Sequence, residues 1–412
     1  MKYLPIPFTS YEKFTIIVLS LLQFTVVVDF MVLSPLGAFL MPGLGITTSQ
    51  FGIVVSVYAI SAGASGLLTA GFADMFDRKK TLLFFYTGFI IGTLFCGIAD
   101  SYQQLLLARV FTGIFGGVIG SVSYAIIADT FKMEVRGRVM GFVQISFAAS
   151  QVLGIPIGLY LASKSDWHAP FKMIVFASVP VGIIILLKLK PITDCLVDKQ
   201  EKKAFKHLWA TASNPDYQLG FIATMLFAAG GFMIMPFSST FMVNNVLIPE
   251  SSLPLIFCIT GLFSIATGPF LGRLTDKFGK YRMFLFGSLL SMVMVYIYTN
   301  LGPNPMWVVV LTNVVLWVGI SSRMISSSAL TSGIPEVRDR GAYMGINSSM
   351  QHFSGGIASF LSGLIVSQPI KSSPILFFNV VGYITIIIMI LTTIMMFFID
   401  RQVSAKLQIA RA

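Results

Sequence analysis

The sequence predicts an all-α membrane protein with twelve transmembrane helices in two pseudo-symmetric six-helix bundles. Three observations predict it. Twelve long apolar segments form two sets of six around one charged stretch near Lys188–Tyr217. Of 412 residues, 55% are hydrophobic and 11% charged, whereas soluble domains carry about 25% charged residues. Two loop motifs recur in the second half at offsets of 202 and 204 residues. A run of about 20 apolar residues crosses a hydrocarbon core as a helix, because only a helix or closed barrel satisfies its backbone there.

The expected spans in the first half are 14–40, 49–73, 80–99, 102–130, 139–162 and 169–189. Those in the second are 217–244, 251–274, 282–300, 305–332, 342–367 and 374–399. The expected division is a bundle over 1–189, a cytoplasmic central loop over 190–216, and a bundle over 217–412 with a short cytoplasmic tail. The first segment is too long for a signal-peptide core, so it reads as span 1. The charged run Asp198–Lys206 reads as a solvated linker with room for a short surface helix.

Orientation follows from charge. With the N-terminus placed in the cytoplasm, 23 of the 28 Lys/Arg fall in cytoplasmic loops and termini and 3 in outer loops. The other two, Arg109 and Arg323, lie inside spans. This asymmetry puts both termini in the cytoplasm and accounts for the net charge of +11 without a nucleic-acid partner. The three cysteines form no CxxC or Cys/His cluster, so neither a disulfide framework nor a zinc site is expected.

The duplicated turns carry the first chemistry. Gly71-Phe-Ala-Asp74-Met-Phe-Asp77-Arg78-Lys79-Lys80 follows span 2, and Gly272-Arg-Leu-Thr-Asp276-Lys277-Phe-Gly279-Lys280-Tyr-Arg282 follows span 8. Asp74 with Arg78, and Asp276 with Lys280, are expected to latch the cytoplasmic side by charge-assisted hydrogen bonds. Arg136-Gly137 before span 5 likewise matches Arg340-Gly341 before span 11.

At these turns the chain resembles the major facilitator superfamily, whose loop pattern is Gly-x-Leu-x-Asp-(Arg/Lys)-x-Gly-(Arg/Lys)-x-(Arg/Lys). Gly272–Arg282 matches it; the first copy departs at Ala70, Met75 and Asp77. The resemblance implies the twelve-helix fold and secondary active transport. Arg109-Val-Phe-Thr-Gly113 resembles the family's Arg-x-x-x-Gly motif in helix 4, which is associated with proton coupling. Ser150-Gln-Val-Leu-Gly154-Ile-Pro156-Ile-Gly158 resembles the helix-5 motif of the drug and sugar efflux branch, with Ser150 for the first glycine and proline one place late. These four small or kinking positions are the expected hinge.

Asp29 is the lone acid deep in span 1. At about 1.5 Å per residue it lies roughly 16 Å below the outer face and Arg109 roughly 10 Å. The two can approach, so that Arg109 tunes proton binding at Asp29; a permanent structural ion pair is the alternative. The position 204 residues beyond Arg109 is Asn313, so the charge is not duplicated. Tyr58, Gln144, Phe232, Met235, Arg323 and His352 are candidates for an apolar cavity with sparse polar groups.

The expected function is proton-coupled export of a small amphipathic drug, sugar or metabolite by alternating access at the inner membrane. Expected partners are the substrate, protons and membrane lipids, with the chain a monomer and no cofactor. Proton symport or uniport into the cell is the alternative. A lipid-modifying enzyme finds no paired carboxylates with a metal cluster, Ser/His/Asp set or HExxH motif to support it. The duplicated turns speak against a non-transporting sensor.

Overall fold

The computed structural model describes residues 8–69, 77–192, 201–336, 339–370 and 373–409. Asp74 lies outside them, as do Ala70 and Met75. Within them the chain is helical apart from turns and one isolated bridge, Ser367 to Leu376.

α1 (Ser10–Val32) starts at a capping box. The Glu12 amide donates to Thr9 Oγ1 at 3.2 Å, and the Thr9 amide donates to the Glu12 carboxylate at 2.7 Å. The single helix expected over 14–40 is instead broken after Val32 and resumes as α2 (Gly37–Leu44). Pro35 sits in the break, where it has no N–H to give the preceding turn. α3 (Thr48–Thr69), α4 (Arg78–Cys96) and α5 (Tyr102–Thr130) follow as spans 2 to 4. Span 5 is α6 (Met133–Ala149), a π-helical turn over Ser150–Gly154, and α7 (Ile155–Lys164). Pro156 cannot donate to the Val152 carbonyl, and the ladder widens just before it. α8 (Ala169–Lys188) closes the first half, and α9 (Glu201–Ala212) is a short helix between the halves.

Span 7 repeats the break of span 1. α10 (Pro215–Ile234) gives way to a 3₁₀ turn, Met235–Phe237, and then α11 (Ser238–Asn244). Pro236 frees the Phe232 carbonyl, which accepts from Ser359 Oγ at 3.4 Å. α12 (Leu253–Phe278), α13 (Lys280–Thr299), α14 (Met306–Thr331), α15 (Arg340–Ile365) and α16 (Phe378–Ile409) complete the chain. Among the described residues, eleven helical stretches are long and apolar enough to cross a membrane. α15 is the twelfth span by length, at 26 residues. Asn347, Ser348, Ser349, Gln351, His352 and Ser354 make it less apolar, and it packs mainly against α3 and α10.

Packing differs at the two ends. At the end far from the termini, one hydrophobic cluster crosses between the halves. It joins Val27, Met31, Leu36 and Phe51 to Met233, Phe237, Ile256 and Ala358. At the termini end there are two clusters, one drawn from the first half and one from the second, with Leu67 alone reaching across. Glycines mark the difference. A Cβ on Gly52 would lie 2.9 Å from Gly363 Cα and from the Ser359 carbonyl, and one on Gly356 3.0 Å from the Ser56 carbonyl. The α3–α15 crossing is thus backbone against backbone. A second seam sets Gly261 of α12 against Val152 in the π turn, where a Cβ on Gly261 would lie 2.9 Å from Val152 Cγ2. Gly120, Gly141, Gly268 and Gly345, nearer the termini, face open space. Apolar packing between the halves is concentrated at the far end, while the α3–α15 contact continues toward the termini, where Gly63 and Gly66 meet Ser349.

Candidate functional site

Two tight crossings build the site. Gly92 of α4 meets Thr112 of α5, where a Cβ would fall 2.9 Å from Thr112 Cα. Gly113 of α5 meets the Tyr58 carbonyl of α3 at 2.6 Å on the same measure. These contacts draw α3, α4 and α5 around the C-terminal end of α1. There Arg109 Nη1 donates to Asp29 Oδ2 at 2.9 Å, and Thr93 Oγ1 donates to Oδ1 at 3.3 Å. Asp29 is fully buried and Arg109 is 1% exposed. Both carboxylate oxygens are therefore engaged, and the arginine's length spans the difference in depth read from the sequence.

The guanidinium has a second neighbour. Its carbon lies 4.2 Å from the centroid of the Tyr58 ring, and its Nε has no hydrogen-bond partner. Gly116 makes room for the Tyr58 hydroxyl, since a Cβ there would be 2.8 Å from it. Phe30, next to Asp29 in the chain, stacks on Tyr58 with centroids 5.5 Å apart. The same Phe30 ring touches Phe232 of α10 at 5.6 Å and His352 of α15, edge-on, at 5.6 Å. An unbroken set of contacts runs from the buried ion pair to the second half.

The structure thus brings together Asp29, Arg109, Tyr58, Phe232 and His352. Met235 lies one turn beyond Phe232, against the cluster that seals the far end. Gln144 is exposed on α6, toward the termini. Arg323 lies apart, 4% exposed inside the second half. Its guanidinium carbon is 5.2 Å from the Phe227 ring and 5.4 Å from the Phe284 ring. Among the described residues no carboxylate pairs with it. Sequence reading did not single out Phe30 or Thr93. The only signal for Phe30 was its place beside the lone intramembrane acid.

The hinge positions border the ion pair. A Cβ on Gly154 would run into the Val28 side chain and one on Gly158 would lie 2.9 Å from Val32 Cγ2, so span 5 lies directly on the helix that carries Asp29. Ser150 Oγ donates to the Phe24 carbonyl at 3.2 Å and the Ser146 carbonyl at 2.7 Å.

At the termini end, Arg78 Nε donates to Asp129 Oδ2 at 3.0 Å. Asp77 caps α4 by accepting from the Lys79 amide at 2.9 Å and ties down the Ile192 amide at 3.1 Å. In the second half Asp276 is exposed, and Lys280 Nζ donates to the Ala329 carbonyl at 3.2 Å. Tyr217 donates to Asp339 at 2.9 Å, which holds the start of α10 to that of α15.

The Major Facilitator Superfamily profile matches residues 19–214 and 220–412. The chain is 27% identical to the uncharacterized MFS-type transporter YceJ of Bacillus subtilis (strain 168) over 270 residues, 65% of this chain and 68% of that protein. It is 33% identical to multidrug resistance protein 3 of the same organism over 137 residues, 33% of this chain and 26% of that protein. In fold it is similar to a bacterial homologue of the human lysosomal transporter Spinster, solved inward-facing and unoccupied. The TM-score is 0.75 at 15% identity, over 97% of this chain and 99% of the other. A chain of twelve spans, matched over nearly its whole length, belongs to the Major Facilitator Superfamily of membrane transporters and is not an enzyme.

Proposed function

We propose that this transporter exports a small amphipathic organic molecule in exchange for protons, across the inner membrane and with both termini in the cytoplasm. The observation that carries this reading is the Asp29–Arg109 pair. It is a single carboxylate in span 1, sealed from solvent and balanced by a single guanidinium. Loss of either charge leaves the other buried without its counter-ion, so protonation must move the structure around it.

The proposed cycle uses the two ends of the molecule. The far end, where one apolar cluster joins the halves, is the closed end in this cycle. Substrate enters from the cytoplasm among Phe30, Phe232 and His352, where aromatic walls with one imidazole suit an amphipathic ligand. The halves, 1–189 and 217–412, then rock about the α3–α15 and α7–α12 seams, with the π turn at Ser150–Gly154 as the flexing element. Asp74/Arg78 and Asp276/Lys280 are the proposed termini-side latches. A proton taken from outside neutralises Asp29, frees Arg109 and favours return. The partial likeness to a protein named for multidrug resistance supports export of lipophilic compounds.

The test is transport by purified protein in liposomes. Asp29→Asn should abolish proton-driven movement of substrate while substrate–substrate exchange continues. Undiminished proton-driven antiport in that variant removes Asp29 from the mechanism.

A further inference from the structure

The neighbours of the ion pair carry more than a proton site. Asp29 faces Arg109 from α5 and Thr93 from α4. Arg109 faces Asp29, the Tyr58 ring and Cys96, which itself contacts Thr112. His352 lies one ring further, across Phe30. If Asp29 loses its charge, none of these offers Arg109 another anion. What remains is the π face of Tyr58, already 4.2 Å away and 2% exposed. That face attracts a cation, and more strongly when both are shielded from water.

Tyr58 has little slack. Gly113 touches its backbone and Gly116 its hydroxyl, so the ring cannot slide toward α5. Phe30 stacks against the ring with centroids 5.5 Å apart. Phe30 in turn rests on Phe232 and His352, both in the half that must move during transport. Parting of the halves at the far end withdraws those two rings from Phe30.

We propose that Tyr58 and Phe30 are positioning residues for the proton site. Tyr58 is the alternative seat of the Arg109 charge, and Phe30 makes that seat answer to the second half. The inference rests on the reading of Asp29 as the proton-binding group. The chemistry is simple: one proton joins the Asp29 carboxylate, Arg109 keeps its charge, and the guanidinium settles onto the ring. Removing the ring weakens the protonated state most, because that state has no carboxylate charge left to hold the guanidinium.

The test needs no substrate, because the proton is the probe. Spin labels at Lys132→Cys and Lys277→Cys, both exposed at the termini end, report the distance between halves as pH is varied. Cys195 and Cys258 are replaced by serine, and the buried Cys96 stays. The protein with native Tyr58 and Phe30 should switch with a single midpoint, and Tyr58→Phe should keep it. Tyr58→Leu should lower the midpoint by about one pH unit, a tenfold loss of proton affinity. Phe30→Leu should shift it the same way by less, and it carries the test if Tyr58→Leu fails to fold. Asp29→Asn should not switch at all. A flat Asp29→Asn with an unmoved midpoint in both leucine variants overturns the relay but keeps the proton site. A Tyr58→Phe that moves as far as Tyr58→Leu assigns the effect to the hydroxyl and overturns the ring seat. Switching that persists in Asp29→Asn, or is missing from the native-site protein, overturns the proton site and the relay with it.

Discussion

The two halves share a scaffold and differ in what they do with buried charge. Ser150 and Ser354, 204 residues apart, make the same bond: one hydroxyl reaches the Phe24 carbonyl of span 1, the other the Met225 carbonyl of span 7. Spans 1 and 7 both break at a proline, Pro35 and Pro236. The charged groups inside the spans do not repeat. In the first half Arg109 is closed into an ion pair with Asp29. At the matching place in the second half Asn313 gives its amide to the Val309 carbonyl at 2.9 Å. The second half's own buried cation, Arg323, sits nearer the termini among phenylalanine rings. Duplication preserved this helix-packing hydrogen bond, while the ionisable groups inside the spans diverged. Each buried charge costs stability, so a second copy would add to that cost.

The contrast is sharpest in stability. Arg109→Met leaves Asp29 buried without its partner and should cost about 3–5 kcal/mol. Thermal unfolding in detergent measures it, and adding Asn at position 29 should recover a good part of the loss. Arg323→Met removes a cation that pairs with no carboxylate among the described residues. It should cost under about 2 kcal/mol, the scale of the cation–π contacts given up. Equal losses at the two arginines would abolish the distinction between the halves.

A smaller effect separates the seam from the glycines nearer the termini. Gly363→Ala puts a Cβ about 3.0 Å from the Thr48 carbonyl and Gly52 Cα, so the halves must shift at the far end. It should move the conformational equilibrium away from the sealed state, read as faster labelling of a cysteine introduced at Met31. Gly120→Ala faces open space and should change stability by no more than about 0.5 kcal/mol. If both behave alike, the far-end seal does not rest on the α3–α15 crossing.

Much of this was legible in the sequence. The spans were readable because a lipid core demands long apolar helices, a constraint that acts on each segment alone. The Asp29–Arg109 approach could be judged from depth, since helices convert residue number into distance. Other features were not legible. The Pro35 break fell inside one apolar run, because composition does not register a lost hydrogen bond. Phe30 was one of 37 phenylalanines with no local mark. Asp129, the partner of Arg78, lies 51 residues further on, and no spacing rule pairs them. The rings of Phe227 and Phe284 beside Arg323 come from other spans of its half, and no spacing in the chain announced them.

The sequence by itself determined the membrane class, the twelve-span count, the repeat and the identity of the ionisable groups within the spans. These follow from composition and period, which each stretch of chain expresses without reference to the rest. The tertiary structure alone decided which end is sealed, which ring Arg109 rests on and how Phe30 joins the halves. Those depend on contacts between helices far apart in the chain, where a few glycines set how closely backbones approach and a side chain's neighbours come from other spans.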